Sequence, residues 1–485
     1  MGRGWFALAS LGFVAVGVVL ALLTKAVPFN LVNLASLLLC IGFVGFLAQV
    51  RPMAFALMLP MIVMRATELA SCFAIERGAY VAEVSMSGGF TGATARLVAF
   101  YLVFFFVTAL AIEIGLPERT LRAGHDERPF APRVMAALFW VTVVATVAAM
   151  GYLFLVGLGT GFPLLTGEDR FSYRSAMTGS GISTILGNRY ILILILSMFA
   201  GQRGKSAAAI GTIVLTLGVS VLFGEKFTSL VIMLTTAIIP ASIAYVVGHG
   251  RLPVGRLLLL AGVGAMLTLP VILVVYGALD DIGQASADLA DRMSAQGAMW
   301  YLADRDFGAF VNWDAHSIVS NLKSWLVVGG EAESAGLSSG LYYVMGQYTS
   351  DADLSLAMEY YVGAIFTFYP YWLIVSGYCG VFVSIIASAI VYGIGCRFVL
   401  HAIHRRDAIL AIVAEKALTF IYGGFFTGIS TLVFGLKPVL LLSLSLAVLL
   451  LGNWLRERAV APIVGLLALR RARRAQRRDR MRTSI

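Results

Sequence analysis

Two arginines four residues apart mark a stretch of this sequence that could bind phosphate. Arg170 and Arg174 lie in the glycine-rich segment 158–189, between two apolar runs. On one face of a turn, two guanidinium groups form a fork suited to phosphate oxygens. Lys226 adds a cation in the short polar turn between two later apolar runs. The sequence therefore predicts a phosphate-binding group, and the alternative is that these cations are simply solvated.

A long acidic segment, 279–370, carries the candidates for a general base. Twelve of the chain's 26 acidic residues lie in it. His316, Asp314 and Glu331 are the candidates, because imidazole and carboxylate groups can deprotonate or orient an attacking hydroxyl. Solvation is the alternative for each acid. The many tryptophans and tyrosines of the segment favour a folded loop over a disordered one, and they suit sugar rings and a membrane surface equally well.

Four charged residues lie inside apolar runs, where a charge is costly and marks a functional site by default. Arg65 and Glu68 are three residues apart on one helix face and can neutralise each other. Glu415 and Lys416 are adjacent and point in different directions, so each needs its own partner. The alternatives are an ion pair that only fixes helix packing and a lysine that extends toward the membrane surface.

Membrane-spanning helices must position these residues, because the chain is too hydrophobic for a soluble protein. It is 59% hydrophobic and 13% charged, with a mean hydropathy of +0.88. Runs of about 20 apolar residues, each long enough to cross a bilayer as a helix, recur along the chain. We predict an all-α, polytopic helical bundle of about twelve spans. The predicted spans are 5–24, 30–50, 53–75, 94–116, 134–157, 189–201, 206–222, 228–248, 257–278, 371–396, 408–432 and 436–455.

Basic residues set the predicted orientation. The C-terminal tail, 456–485, holds ten arginines, and the turns on its side of the membrane hold about twice as many basic residues as the opposite turns. The positive-inside rule therefore predicts cytoplasmic termini and an outer large loop. The tail accounts for most of the net charge of +10 and is expected against lipid headgroups rather than nucleic acid. The predicted parts are nine spans with an arginine-bearing outer loop (1–278), the large loop (279–370), three spans (371–455) and the tail.

Several chemistries are disfavoured by what the sequence lacks. It contains no GxxxxGK[ST] phosphate loop, no HExxH motif and no metal-binding spacing of cysteines or histidines. The four cysteines all lie in apolar runs and form no framework. We therefore predict no metal and no other cofactor.

The layout resembles the Wzy-type O-antigen polymerases, bacterial membrane enzymes that join lipid-linked oligosaccharide repeats outside the inner membrane. About a dozen spans, an arginine-bearing middle outer loop and a large late outer loop are the shared features. Residues 170–181 fit the R-x10-G pattern described for outer loops of such polymerases, and 224–227 (GEKF) and 366–370 (FTFYP) are similar to signatures of one subgroup. The second R-x10-G pattern, expected in the large loop, is absent.

The resemblance implies a GT-C-like glycosyltransferase in the bacterial inner membrane, with a periplasmic large loop. Its activity would be polymerisation of undecaprenyl-pyrophosphate-linked oligosaccharide repeats by metal-independent, inverting glycosyl transfer. The implied partners are that lipid, the bilayer and a polysaccharide chain-length regulator. The implied base is His316, Asp314 or Glu331. The candidates for binding the leaving pyrophosphate are Arg170, Arg174, Arg189, Lys226 and Arg77.

Two other functions stay open from the sequence. An O-antigen ligase or a peptidoglycan-type lipid-linked glycosyltransferase would share the layout, the donor and the arginines, and would differ in the acceptor. A transporter or flippase of a lipid-linked sugar would use the four intramembrane charges as its pathway. A transporter needs no hydroxyl-activating base, whereas a glycosyltransferase lengthens glycan in detergent without a gradient.

Overall fold

Long apolar helices dominate the computed structural model, which describes residues 3–26, 30–81, 85–113, 132–166, 173, 181–202, 204–225, 227–253, 255, 282–327, 331–359, 366–452 and 454. Ten helices of this part are long and apolar enough to cross a membrane, and Ser206–Leu222 is a shorter apolar helix. The predicted all-α, multi-pass membrane protein is therefore confirmed. The ninth predicted span, 257–278, and the tail lie outside the described residues, so the count of twelve stays a prediction.

The described helices are numbered in chain order. Those before the large loop are α1 Arg3–Leu23, α2 Asn30–Val50, α3 Pro52–Glu76, α4 Ala93–Glu113, α5 Pro132–Thr160, α6 Pro163–Thr166, α7 Ile182–Phe199, α8 Ser206–Leu222 and α9 Phe227–His249. Those of the loop are α10 Ile282–Ala295, α11 Ala298–Phe307, α12 Ala315–Ser324, α13 Glu331–Ser338, α14 Leu341–Met345 and α15 Asp351–Glu359. After it come α16 Phe368–Arg405, α17 Ala408–Thr427, α18 Thr431–Phe434 and α19 436–452. A hairpin of β1 Tyr80–Val81 and β2 Met86–Ser87 lies between α3 and α4.

One large hydrophobic core joins α1–α4, α9, α16 and α17, and α4 lies at its centre. Aromatic side chains fill it: the Phe104 ring of α4 stacks on Tyr392 of α16 and meets Phe425 of α17 edge-on. A second, smaller core lies between α5, α7 and α8, around Phe162 and Phe223. Helices that are apolar on all sides are buried in this way when neighbouring helices surround them.

Helix α16 is two helices that meet at a sharp break. Gly377 has a φ of 68°, and a Cβ there would lie 2.7 Å from the carbonyl oxygen of Ala309. The hydroxyl groups of Tyr369 and Ser388 are 3.2 Å apart, although 19 residues of straight helix would separate them by about 28 Å. The segment before Gly377 therefore folds back along the segment after it, and we call this reversal the Gly377 hairpin. The predicted span 371–396 was wrong at its start, because its first residues pack beside the span instead of continuing it.

The described part of the large loop is folded onto the bundle. The buried Trp300 indole of α11 donates to the carbonyl oxygen of Ala93, the first residue of α4, at 3.0 Å. The Tyr301 hydroxyl donates to the carbonyl oxygen of Gly89, also at 3.0 Å. These contacts cover one end of the bundle. The loop is thus positioned by spans that lie far from it in the sequence.

Candidate functional site

Arg189 lies well inside a helix that begins at Ile182, whereas the sequence predicted it at the boundary between the loop 158–189 and the span 189–201. This helix, α7, starts directly after Gly181, whose φ of 75° lies in the left-handed region. The Arg189 guanidinium forms a buried ion pair with Glu225 at 2.9 Å and donates to the Tyr190 hydroxyl at 3.1 Å. Since Glu225 neutralises it, Arg189 fits the positioning of the 223–225 turn better than direct binding of pyrophosphate.

Lys416 of α17 meets α7 at the residue next to Arg189. Its ammonium donates to the Asn188 amide oxygen at 2.8 Å and lies 5.4 Å from the centre of the Phe420 ring. Within the described ranges no carboxylate forms an ion pair with Lys416. The structure therefore joins Lys416 to Asn188, which is 228 positions away, and the partners of this intramembrane cation among the described residues are neutral.

Glu415 does not share this environment. Its side chain is buried, whereas that of Lys416 is only half-buried. Its Oε1 has no hydrogen-bond partner in the part of the chain that the structure describes. The two adjacent charges thus have different surroundings, as their angular separation on a helix requires.

The other predicted phosphate-binding residues of this region, Arg170, Arg174 and Lys226, lie outside the described residues. Tyr173, between the two arginines, is described. Its hydroxyl lies 2.6 Å from that of Thr160 at the end of α5, and its ring packs edge-on against Phe223. Phe223 is two residues before Glu225, so one residue of the arginine-bearing loop packs at the turn that holds Arg189.

Asp314 is the N-cap of α12, which is a structural role that sequence reasoning missed. Its Oδ1 accepts the Ser317 N–H at 3.1 Å, and its Oδ2 accepts the Tyr343 hydroxyl at 3.0 Å. Hydrogen bonds from Ser317, and then from Tyr343, lower the pKa of the Asp314 carboxyl. A carboxylate held in its ionised form is a weak base, which disfavours Asp314 as the group that activates a hydroxyl.

The two other base candidates lie near the ends of loop helices. His316 is exposed in the first turn of α12. Glu331 is the first residue of α13, and its side chain lies outside the described part. The exposed guanidinium of Arg77, at the C-cap of α3, lies 5.8 Å from the Phe73 ring, which belongs to its own helix. None of the described contacts brings Arg77 to α7 or α17.

Arg65 and Glu68 form a pair that is closed on all sides. Arg65 Nη1 lies 2.6 Å from Glu68 Oε2, and the side chains are 1% and 0% exposed. The Tyr101 hydroxyl donates to the same carboxylate oxygen. Four aromatic rings surround the guanidinium, each with its centre 5.1–5.3 Å away; they belong to Tyr101, Phe366, Tyr369 and Phe425. This geometry fits a packing pair that links α3 and α4 to the base of the Gly377 hairpin.

Arg96 and Asp304 form an ion pair that the sequence did not reveal. The guanidinium of Arg96, in α4, binds both oxygens of Asp304 in α11, and the Tyr378 hydroxyl donates to Asp304 at 2.7 Å. Asp304 is fully buried by these partners. One signal in the sequence could have indicated this ion pair. Arg96 is the third residue of the predicted span 94–116, and an arginine in a span needs a counterion from another segment.

Residues 334–442 match a protein family described as a family of unknown function (DUF6418). No curated protein and no solved structure matches the chain. The matched residues include the Gly377 hairpin and all of α17 with Lys416, whereas Arg189 and Glu225 lie outside them.

Proposed function

We propose that this protein transfers glycan from a donor linked to a lipid pyrophosphate, and that it joins oligosaccharide repeats into an O-antigen-like surface polysaccharide. The observation that carries the proposal is the position of Lys416. It is a cation within an apolar span, and its described partners are neutral. One of them is the amide oxygen of Asn188, the residue before Arg189. Such a charge is costly in a membrane unless an anion is bound nearby.

The pyrophosphate of the donor is the anion that we assign to Lys416. Arg189 and Glu225 hold the turn that precedes Lys226, and Tyr173, which lies between Arg170 and Arg174 in the sequence, packs against Phe223 of that turn. These cations would approach the leaving group from one direction while the polyprenyl chain lies between spans. Their task is to stabilise the negative charge that develops on pyrophosphate during transfer.

The transfer step is a direct displacement. The acceptor hydroxyl oxygen attacks the anomeric carbon of the donor, and the bond from that carbon to the phosphate oxygen breaks. The electron pair stays on the pyrophosphate, and the hydroxyl proton passes to a base. We assign the base to His316 or Glu331 because the hydrogen bonds of Asp314 already hold it as a helix cap. A single displacement inverts the anomeric centre.

The remaining parts of the proposal follow from the resemblance to the polymerases and, for the orientation, from the charge distribution of the sequence. We propose a location in the bacterial inner membrane, with both termini in the cytoplasm and the large loop in the periplasm. The exposed Trp313 ring in the loop is 75% accessible and provides a flat apolar surface for a sugar ring. The loop then acts as a cover over cations that the spans and the 158–189 segment supply. A chain-length regulator remains a proposed partner.

A genetic test with matched variants examines this proposal. Deletion of the gene is expected to collapse a surface polysaccharide ladder to a single repeat, and Lys323→Gln, a change at an exposed loop lysine, is expected to restore the ladder. Lys416→Met should lower polymer formation by about 10²- to 10³-fold, the loss seen when one charge-stabilising group is removed. Lys416→Arg keeps the charge and should retain part of the activity.

Two results would contradict the pyrophosphate assignment. The first is a full-length ladder from Lys416→Met. The second is a full-length ladder from both Arg170→Ala and Arg174→Ala. For the base, unchanged activity across pH in both His316→Ala and Glu331→Gln would remove these candidates. A purified protein that lengthens a lipid-linked glycan in detergent, without a gradient, supports transfer, and the identity of the acceptor separates a polymerase from a ligase.

Transport of a lipid-linked sugar is the second candidate, and one observation favours it. The buried carboxyl of Glu415 has an oxygen without a hydrogen-bond partner among the described residues, as a proton-carrying group would. Against it, Arg65 and Glu68 are closed off, and Glu415 and Lys416 have different surroundings. Movement of labelled lipid across vesicles without any glycan extension would favour transport.

A further inference from the structure

A small pocket lies where the large loop meets the start of the last described span. Its volume is about 150 Å³. The backbone N–H of Leu436, the first residue of α19, donates to the Trp325 carbonyl oxygen at 3.2 Å and fixes the loop at this point. We call the cavity the rim pocket. Its walls are Trp325 and Val327 of the loop, Thr419 and Phe420 of α17, and Thr431, Leu432, Gly435, Leu436 and Lys437.

Lys437 gives the rim pocket a positive charge. It is exposed in the first turn of α19, and no carboxylate in the described ranges forms an ion pair with it. The first turn of a membrane span lies at the depth of the lipid headgroups. A lysine at that depth favours an anionic over a neutral lipid by about fivefold.

The surface that leads away from the rim pocket is apolar. Val439, Leu440 and Leu444 of α19 are 45%, 57% and 49% exposed, which in a multi-pass membrane protein is a surface for lipid chains. The Trp325 ring packs 4.8 Å from that of Phe434 and forms one wall of the pocket. Tryptophan is characteristic of the boundary between headgroups and chains. Along α19, the charge of Lys437 is thus followed by exposed apolar side chains, in the order of the headgroup and the acyl chains of a phospholipid.

We propose that the rim pocket binds the phosphate headgroup of an anionic phospholipid. Lys437 pairs with the phosphate, the Trp325 ring contacts the glycerol region, and the acyl chains lie along the exposed side chains of α19. Because Trp325 belongs to the loop and Lys437 to a span, the bound lipid bridges the two. This proposal is independent of the proposed glycosyl transfer, and Lys437 is not among the residues assigned to that reaction.

Quenching of tryptophan fluorescence by brominated lipids tests the proposal. The full-length protein is reconstituted into neutral phosphatidylcholine vesicles that contain increasing brominated phosphatidylglycerol or brominated phosphatidylcholine. Trp325→Phe identifies the contribution of Trp325 among the seven tryptophans. We expect this contribution to be quenched at about fivefold lower mole fraction of the anionic lipid than of the neutral one. Lys437→Gln should abolish the preference, and the matched variant Lys323→Gln should keep it.

Three results would overturn the proposal. One is an unchanged preference for anionic lipid in Lys437→Gln. Another is an equal loss in Lys323→Gln, which would indicate a general surface charge effect. The third is displacement of the brominated lipid by free inorganic pyrophosphate, which would assign the pocket to a soluble anion. Lys437→Arg, which keeps the charge, should retain the preference and shows whether any loss comes from misfolding.

Discussion

Arg65 and Lys416 are both cations in apolar spans, and both are next to or near a glutamate in the sequence, yet their surroundings differ completely. Arg65 has its counterion Glu68 one helical turn away and is enclosed by four aromatic rings. Lys416 has an amide and one ring as its described partners, and the neighbouring Glu415 belongs to a different environment. The presence of a charge in a span therefore does not show whether it has a structural role. Its counterion and the side chains that enclose it decide that.

The acids of the large loop show the same contrast. Asp304 is fully buried between Arg96 and Tyr378 and ties α11 to the spans. Asp314 lies at the start of α12 and has only hydrogen-bonding partners. Both parts of the loop contact the spans, at Asp304 in the first part and at Trp325 in the second, but the second part also carries exposed apolar side chains: Trp313 and Leu326 are 75% and 78% exposed. We expect ligands to meet the second part.

The largest expected effect is on the enclosed pair. Arg65→Met or Glu68→Met leaves one buried charge without its counterion and should lower the free energy of unfolding by about 3–5 kcal/mol. The double variant Arg65→Met/Glu68→Met removes both charges and should recover most of that loss. Unfolding of the purified protein in detergent measures both. If the free energy of unfolding of each single variant stays within about 1 kcal/mol of that of the original protein, the pair is not a structural link.

Asp304→Asn tests the contact between the first part of the loop and the spans. It should lower the free energy of unfolding by about 2–3 kcal/mol, because Arg96 loses a buried partner that accepts charge-assisted hydrogen bonds. Limited proteolysis of the loop should accelerate in parallel. Asp306→Asn is the matched control, since Asp306 is 35% exposed and pairs only with its neighbour Arg305 among the described contacts. Equal effects of the two variants would contradict the anchoring role of Asp304.

Asp314 should show a smaller effect that depends on pH. The folded-state pKa of its carboxyl is lowered by Ser317, so its stabilisation is present above the unfolded value of about 3.8 and is lost as pH falls through the lower folded value. Asp314→Ala should cost about 1 kcal/mol at neutral pH through loss of the N-cap. Asp314→Asn keeps a capping oxygen without the charge. A pH-independent difference between the original protein and Asp314→Asn, measured from pH 7 to pH 3, would contradict the role of the ionised form.

Lys416→Met should change the free energy of unfolding least, and in the direction opposite to the change caused by Arg65→Met. Removal of a charge that has no ion-pairing carboxylate among the described residues should leave the free energy of unfolding unchanged or raise it slightly. The measurement is the same detergent unfolding experiment. A loss comparable with that of Arg65→Met would mean that Lys416 is a packing residue, and it would remove the main support for an anion site at this position.

Part of the candidate site follows from local sequence. The spacing of Arg65 and Glu68 on one helix face predicted their contact, because residues three apart are neighbours on a helix. The divergence of Glu415 and Lys416 was likewise predicted. The partner of Arg189 was not, since Glu225 lies 36 residues away and is brought close only when α7 and α8 pack together.

The sequence by itself determined the membrane environment and most of the described spans, because burial of backbone polar groups in lipid forces an apolar run of sufficient length into a helix. Only the tertiary structure decided that α7 begins at Ile182, before Asn188 and Arg189, and that the chain reverses at Gly377. Hydropathy alone treats polar residues as the end of a span. Partners from distant helices satisfy those residues, and such partners exist only in the folded protein.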